Sequence, residues 1–227
     1  MKKFKFIGLG GAINVAQGGN SCFLKEKDNL FIIDVSEGAT KKLLDVGAFE
    51  GINNIYIAIT HTHCDHVAGL GVLIWYANAF LNIKPNIIYN DNGYKKHLHE
   101  LLKVTGVEDK HYEFIHEKDL NFSFSVNMQP TTHAEYLQCF GIMFEDKDGK
   151  YYYTGDSNDY KYVRKLAKDD SVKTIYCEVA TDTFDVHIKY DDIKDLDKDK
   201  LVLMHFNTVE LCKRVKKDGF KVGTLAK

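Results

Sequence analysis

Six residues, His61-Thr62-His63-Cys64-Asp65-His66, constrain this chain more than any other stretch. Three imidazoles and a carboxylate fall within them. They follow an apolar run, Ile55-Tyr56-Ile57-Ala58-Ile59-Thr60, that reads as a buried strand, and they precede a helical pattern from Val67 to about Asn82. Side chains two apart on an extended chain point the same way, so His61 and His63 can reach one point in space. Asp65 and His66 fall where the chain turns into the helix and can reach a second point. Imidazole nitrogen and carboxylate oxygen are the ligands zinc takes where a water position stays open. The spacing predicts two metals side by side at a strand end. A polar strand-to-helix turn with incidental histidines is the plain alternative, and the density of ligand types speaks against it.

H-x-H-x-D-H between a strand and a helix resembles the signature of the metallo-β-lactamase fold superfamily. That resemblance implies an α/β fold, a four-layer αβ/βα sandwich with two sheets back to back and helices outside. The site would lie along one edge, where strand ends meet loops. The length, 227 residues, fits a single domain over residues 1–227 with a large core, and no low-complexity linker divides it.

Strand Leu30-Phe31-Ile32-Ile33 ends at Asp34, a carboxylate that reads either as a turn or N-cap residue or as outer support for the metal site. Gly8-Leu9-Gly10-Gly11-Ala12, then Asn20-Ser21, then Asp34-Val35-Ser36-Glu37-Gly38-Ala39-Thr40 resemble the ribonuclease Z branch of the superfamily. The resemblance assigns His61, His63 and His133 to one metal, Asp65, His66 and His205 to the other, and Asp156 of Gly155-Asp156-Ser157 to a position between them. Glu178-Val179-Ala180-Thr181 is similar to the branch's His-Glu-Ala-Thr motif, with Cys177 in place of the histidine. In that branch the glutamate orients a histidine that protonates the leaving oxygen, which here would be Glu178 and His187. Asp65 would ligate a metal and orient the attacking water, made acidic by two Zn²⁺ ions, or Mn²⁺. The start of the helix at Val67 would help hold the phosphate oxygens.

The remaining histidines read as ordinary. His97 and His99 lie two apart on an amphipathic helix from Gly93 to Val104, so they face different directions. His111 and His116 sit in a polar, β-like stretch. The helix from Val67 to Leu81 is apolar on most sides and is expected to be buried. Tyr190 to Leu196 reads as helical, and the tail from Thr208 as a helix and a short closing strand.

Substrate and partners follow from gaps and charge. Ribonuclease Z grips tRNA with a protruding arm, and the spacings from His133 to Asp156 and from Asp156 to Glu178 leave no room for one. A net charge of −2 argues against a general RNA-binding surface. A small substrate remains, and by resemblance the chain is similar to compact phage enzymes that hydrolyse cyclic mononucleotides and so defeat the bacterial Pycsar defence. The implied substrate is a cyclic nucleotide such as cCMP or cUMP, with cAMP and cGMP also open and RNA 3′-end processing as the alternative. The resemblance also implies a homodimer in which the partner subunit closes the pocket, with Tyr, His or Phe side chains from the segment Asn90 to His116 as candidates for that lid. Five scattered cysteines read as reduced thiols, and Cys64 takes no role. The start, Met1-Lys2-Lys3-Phe4-Lys5-Phe6-Ile7, is too short in apolar residues for a signal peptide. No apolar run suggests a membrane span, which points to the cytoplasm, that of the host for a phage product.

Overall fold

The computed structural model describes residues 3–181 and 185–227. Met1 and Lys2, part of the stretch read for a leader, lie outside them. Two six-stranded sheets carry the described residues, in the orders β1-β2-β3-β4-β5-β6 and β12-β11-β10-β9-β8-β7. The first holds β1 (Lys5–Gly8), β2 (Ser21–Glu26), β3 (Asn29–Ile33), β4 (Asn54–Ala58), β5 (Asn86–Tyr89) and β6 (Glu113–His116). The second holds β7 (Ser125–Pro130), β8 (Phe140–Asp146), β9 (Gly149–Tyr153), β10 (Val172–Glu178), β11 (Leu201–Met204) and β12 (Lys221–Val222). Within each sheet the first three strands in chain order pair antiparallel and the later ones parallel. Parallel strands share a direction, so β3, β4, β9, β10 and β11 all deliver their C-terminal ends to one edge.

Aromatic side chains join the sheets. Phe31 of β3 meets Phe144 of β8 edge-on at 5.7 Å between ring centroids, and Phe4 meets Phe144 at 5.2 Å. Such pairs add about 0.5–1.5 kcal/mol each beyond the area they bury. Helices cover the outer faces. Helix α1 (Ala39–Asp45), the pair α2 (Cys64–Val67) and α3 (Leu70–Tyr76), and α4 (Asn92–Val104) accompany the first sheet. Helices α5 (Tyr160–Ala167) and α6 (Val209–Lys217) accompany the second. This is the four-layer sandwich expected from the hexad.

Several boundaries differ from the sequence reading. The helix after the hexad starts at Cys64, not Val67, so Asp65 and His66 sit in its first turn. The run then breaks at Ala68–Gly69 and ends in a π-turn over Ala77–Leu81. Gly69 stands where a Cβ would lie 2.3 Å from the Ser36 carbonyl, so strand-end packing dictates the break. By length and composition alone, Cys64–Leu81 compares with a membrane span. Its inner residues Leu70, Leu73, Ile74 and Ala77 belong instead to the core. The helix is not buried all round: Val72, Trp75 and Phe80 are 56%, 46% and 76% exposed. Helix α5 went unread because Tyr160–Ala167 is short and carries two lysines and an arginine. Asp159 caps it by accepting from Tyr162 N at 2.9 Å. Tyr190–Asp192 forms only a 3₁₀ turn where a longer helix was expected.

Candidate metal centre and active site

Most predicted site residues stand at or just past strand ends on the shared edge, with Asp65 and His66 in the first turn of α2 and His187 in the loop after β10. His61 follows β4, His133 follows β7, Asp156 follows β9, Glu178 ends β10 and His205 follows β11. Backbone geometry aims several of them. Asp34 and His205 are two of the four non-glycine residues with positive φ among the described residues, at 57° and 52°. Such conformations cost on the order of 1 kcal/mol or more and persist where surrounding structure enforces them. Gly155, at φ 59°, turns the chain so that Asp156 points inward; a Cβ there would come within 2.5 Å of the Phe140 carbonyl. Gly11 lies against the His205 ring, where a Cβ would stand 3.0 Å from Cε1.

The seven side chains expected as ligands come together in two groups. His61 Nε2 and His133 Nε2 lie 2.9 and 3.2 Å from His63 Nδ1. His66 Nε2 and His205 Nε2 each lie 3.3 Å from Asp65 Oδ2. Asp156 stands between the groups with one oxygen toward each. Its Oδ2 is 3.8 Å from His61 Nε2 and 3.7 Å from His133 Nε2, and its Oδ1 is 3.4 Å from both His66 Nε2 and His205 Nε2. Two of these atoms, His66 Nε2 and Asp156 Oδ1, are buried without a hydrogen-bond partner. Orphaned polar atoms in a protein interior cost free energy unless something satisfies them. Nitrogen and carboxylate donors converging on two points fit divalent cations.

Charge within the cluster says the same. Burial disfavours the ionised carboxyl of Asp65, yet the hydrogen-bonded His205 ring and the adjacent His66 ring hold its pKa well below the usual range. Burial likewise works against ionised Asp156, and the charges of His205 and His66 outweigh it. Burial opposes a charged His205, but Asp156, Asp65 and Glu178 lift its pKa to about 10. Burial, with His66 nearby, pushes His61 down to about 2. The surrounding carboxylates thus favour the protonated forms of His66 and His205 against their burial, and a cation held by those nitrogens would take the place of such protons.

Outer partners hold the rings. Asp34, the strand-end carboxylate with two readings, is wholly buried and lies 2.8 Å from His66 Nδ1. It also accepts from the Thr60 amide and hydroxyl, at 2.7 and 2.9 Å. It caps no helix, so the supporting reading matches the geometry. We expect Asp34→Ala to weaken metal binding by roughly 10–100-fold; zinc competition with a chromophoric chelator measures this. His187 Nδ1 lies 2.8 Å from Glu178 Oε2, and Glu178 Oε1 accepts the Ser157 amide at 2.5 Å. Burial opposes charge on His187, while Glu178 outweighs it and raises the pKa. His97, His99, His111 and His116 stay outside the cluster. Sequence reading missed Tyr136, whose hydroxyl lies 3.0 Å from His63 Nε2; a tyrosine three residues after His133 in a polar loop gave no signal of it.

A cleft of about 270 Å³ opens over the cluster, with Gly11, Ala12 and Ile13 on one side and Ala180, Val186 and His187 on the other. None of the side chains from Asn90 to His116 lines this cleft.

Fold and cluster together define a protein of the metallo-β-lactamase fold whose strand-end side chains are placed to hold divalent cations. The metallo-β-lactamase fold protein YhfI of Bacillus subtilis superposes with a TM-score of 0.74 at 17% identity, covering 99% of this chain and 95% of that one. The sequence model for the anti-Pycsar protein Apyc1 matches residues 2–222, and the chain belongs to that family. The anti-Pycsar protein Apyc1 of Bacillus phage 010DV004 is 22% identical over 228 residues, covering 88% of this chain and 87% of its own. The ribonuclease Z of Haloferax volcanii is 24% identical over 153 residues, 64% of this chain. Those residues are 48% of that enzyme, so this chain matches about half of its length.

Proposed function

We propose that this protein is a phosphodiesterase that opens cyclic mononucleotides to nucleoside monophosphates at a two-cation centre. The observation that carries the reading is the Glu178–His187 pair, 2.8 Å apart and beside the seven-residue cluster, with His187 on the wall of the cleft. Hydrolysis of a phosphodiester needs a proton for the departing ribose oxygen. A histidine whose protonated form a buried carboxylate favours is suited to provide it. Divalent cations, zinc or manganese, would be held by His61, His63, His133 and Asp156 on one side and Asp65, His66, His205 and Asp156 on the other. They supply an acidified water and charge that offsets the phosphate oxygens. Asp65 orients that water. Glu178 fixes the Nδ1–H of His187, which leaves Nε2 to deliver its proton to the ribose oxygen.

Small size of substrate has its own support. The hairpin β8–β9 takes up the chain between His133 and Asp156, and α5 with β10 takes up the chain from Asp156 to Glu178. Neither span projects an arm to grip a folded RNA. The apolar cleft walls, Ala12, Ile13, Ala180 and Val186, suit a sugar and base. Membership of the anti-Pycsar Apyc1 family agrees with a role against a defence signalled by cyclic nucleotides, a role that would be exercised in the cytoplasm of a host cell.

The test is hydrolysis of cUMP, cCMP, cAMP and cGMP by the pure protein with and without chelator. Product is expected only with metal, and none from His66→Ala. His187→Ala should bind metal as before and turn over about 10²–10⁴-fold more slowly; unchanged turnover removes the proposed acid. Trimming of a pre-tRNA with all four cyclic nucleotides left intact would assign the chain to RNA processing.

We also infer a homodimer, supported by the exposed Val72, Trp75 and Phe80 on one helical run. Sedimentation should give twice the chain mass, and Trp75→Glu should return it to the monomer.

A further inference from the structure

The five histidines of the cluster differ in what holds the nitrogen that faces away from it. His61 Nδ1 lies 3.1 Å from Thr60 Oγ1, a hydroxyl whose own proton goes to Asp34. His66 Nδ1 faces Asp34 at 2.8 Å, and His133 Nδ1 donates to the Val186 carbonyl at 2.8 Å. His205 Nδ1 faces Glu178 at 3.6 Å. All four of these partners are backbone or wholly buried side chains. His63 is turned the other way round. Its Nδ1 points inward, toward His61 and His133, and its Nε2 points to the rim. There the only partner among the described residues is the hydroxyl of Tyr136, at 3.0 Å, on a side chain 79% exposed.

The reversal has a local cause. His63 precedes α2 at extended backbone angles, φ −62° and ψ 148°, and its ring stands at the mouth of the site with Nε2 turned away from the strand-end groups. Tyr136 comes from the turn closed by Leu137 N to Ala134 O at 3.0 Å, directly after His133. One loop therefore supplies both a ring of the three-histidine group and the outer partner of another ring in that group. Without that partner, no hydrogen bond holds the outer end of the His63 ring against a rotation that would carry Nδ1 off the point where His61 and His133 converge.

We propose that Tyr136 is a positioning residue: its phenol oxygen accepts the Nε2–H of His63 and so sets how tightly the His61–His63–His133 group holds its cation. The inference rests on the two-cation reading of the cluster. Outer partners of metal-bound histidine fix the ring and raise its basicity, and losing one commonly costs roughly 10–100-fold in metal affinity. A neutral, exposed phenol is a weaker acceptor than the carboxylate behind His66, so this group is the one whose occupancy responds to what happens at the cleft mouth.

The test is zinc titration of the full metal-free chain against a chromophoric chelator, resolved into two binding steps, for the native protein and Tyr136→Phe. The exposed phenyl ring leaves the metal-free melting temperature unchanged. One step is expected to weaken by roughly 10–100-fold with the other unaltered. In the zinc-loaded native protein the His63 Nε2 proton should be visible by NMR as slowly exchanging, and it should be lost in Tyr136→Phe. Equal affinities in the two proteins, or parallel weakening of both steps with a lower melting temperature, would overturn the proposal. A native protein that takes up no zinc would instead sink the two-cation reading itself, which distinguishes the two failures.

Discussion

Asp156→Asn is expected to end metal-dependent hydrolysis, with turnover falling at least about 10³-fold. The carboxylate reaches both groups, with Oδ2 toward His61 and His133 and Oδ1 toward His66 and His205. An amide offers one neutral oxygen and places two N–H donors on the other side, so one group loses its acceptor and meets a donor. Two charge-assisted contacts of about 2 kcal/mol each amount to roughly three powers of ten. The same substitution tests metal binding apart from activity. Native protein should melt higher with zinc by the free energy of occupancy, about 2.7 kcal/mol at a hundredfold excess over Kd. That rise should be absent in Asp156→Asn. A variant that keeps both the zinc-dependent rise and native turnover would mean that Asp156 bridges nothing.

Glu178→Gln is the second large effect. Glu178 is wholly buried and acts on three neighbours: the Ser157 amide next to Asp156, the His187 ring and, at 3.6 Å, the His205 ring. A glutamine can still accept from Ser157 through its oxygen, so the fold should survive. Its NH₂ then faces His187 Nδ1, which must become the acceptor, and the remaining proton moves to Nε2 on a neutral ring. Such a ring has lost the carboxylate that favoured its charged, donating form. Turnover is expected to drop by about 10²–10⁴-fold with zinc affinity reduced far less. Glu178→Ala adds an unpartnered Ser157 N–H and a cavity, costing about 2–4 kcal/mol in urea unfolding. If Glu178→Gln turned over at the native rate, His187 would not depend on Glu178 for its orientation.

How far these residues were legible varied with their spacing. The hexad announced itself because strand geometry alone brings His61 and His63 together. His133, Asp156 and His205 stand alone in their segments, and only their order along a resembled family pointed to them. Asp34 had two readings until the parallel pairing of β3 with β4 set it beside Thr60 and His66. The outer face of the helical run after the hexad misled, because Val72, Trp75 and Phe80 are apolar yet exposed. Hydrophobicity records what a side chain avoids and not which layer covers it. Helix α5 escaped because it buries only Val163 and Leu166 in an eight-residue segment that also carries two lysines and an arginine.

Local order along the chain determined the strands, the strand-to-helix turn and the pair of histidines that extended backbone places on one side. Those follow from interactions a few residues long. The tertiary structure decided which oxygen of Asp156 meets which group, that Glu178 reaches both His187 and Ser157, and that Tyr136 rather than a buried group backs His63. Contacts within the site join residues as far as 140 positions apart, as His205 and Asp65 are. Their geometry depends on how two sheets pack and align their strand ends, and no periodicity within a segment encodes that.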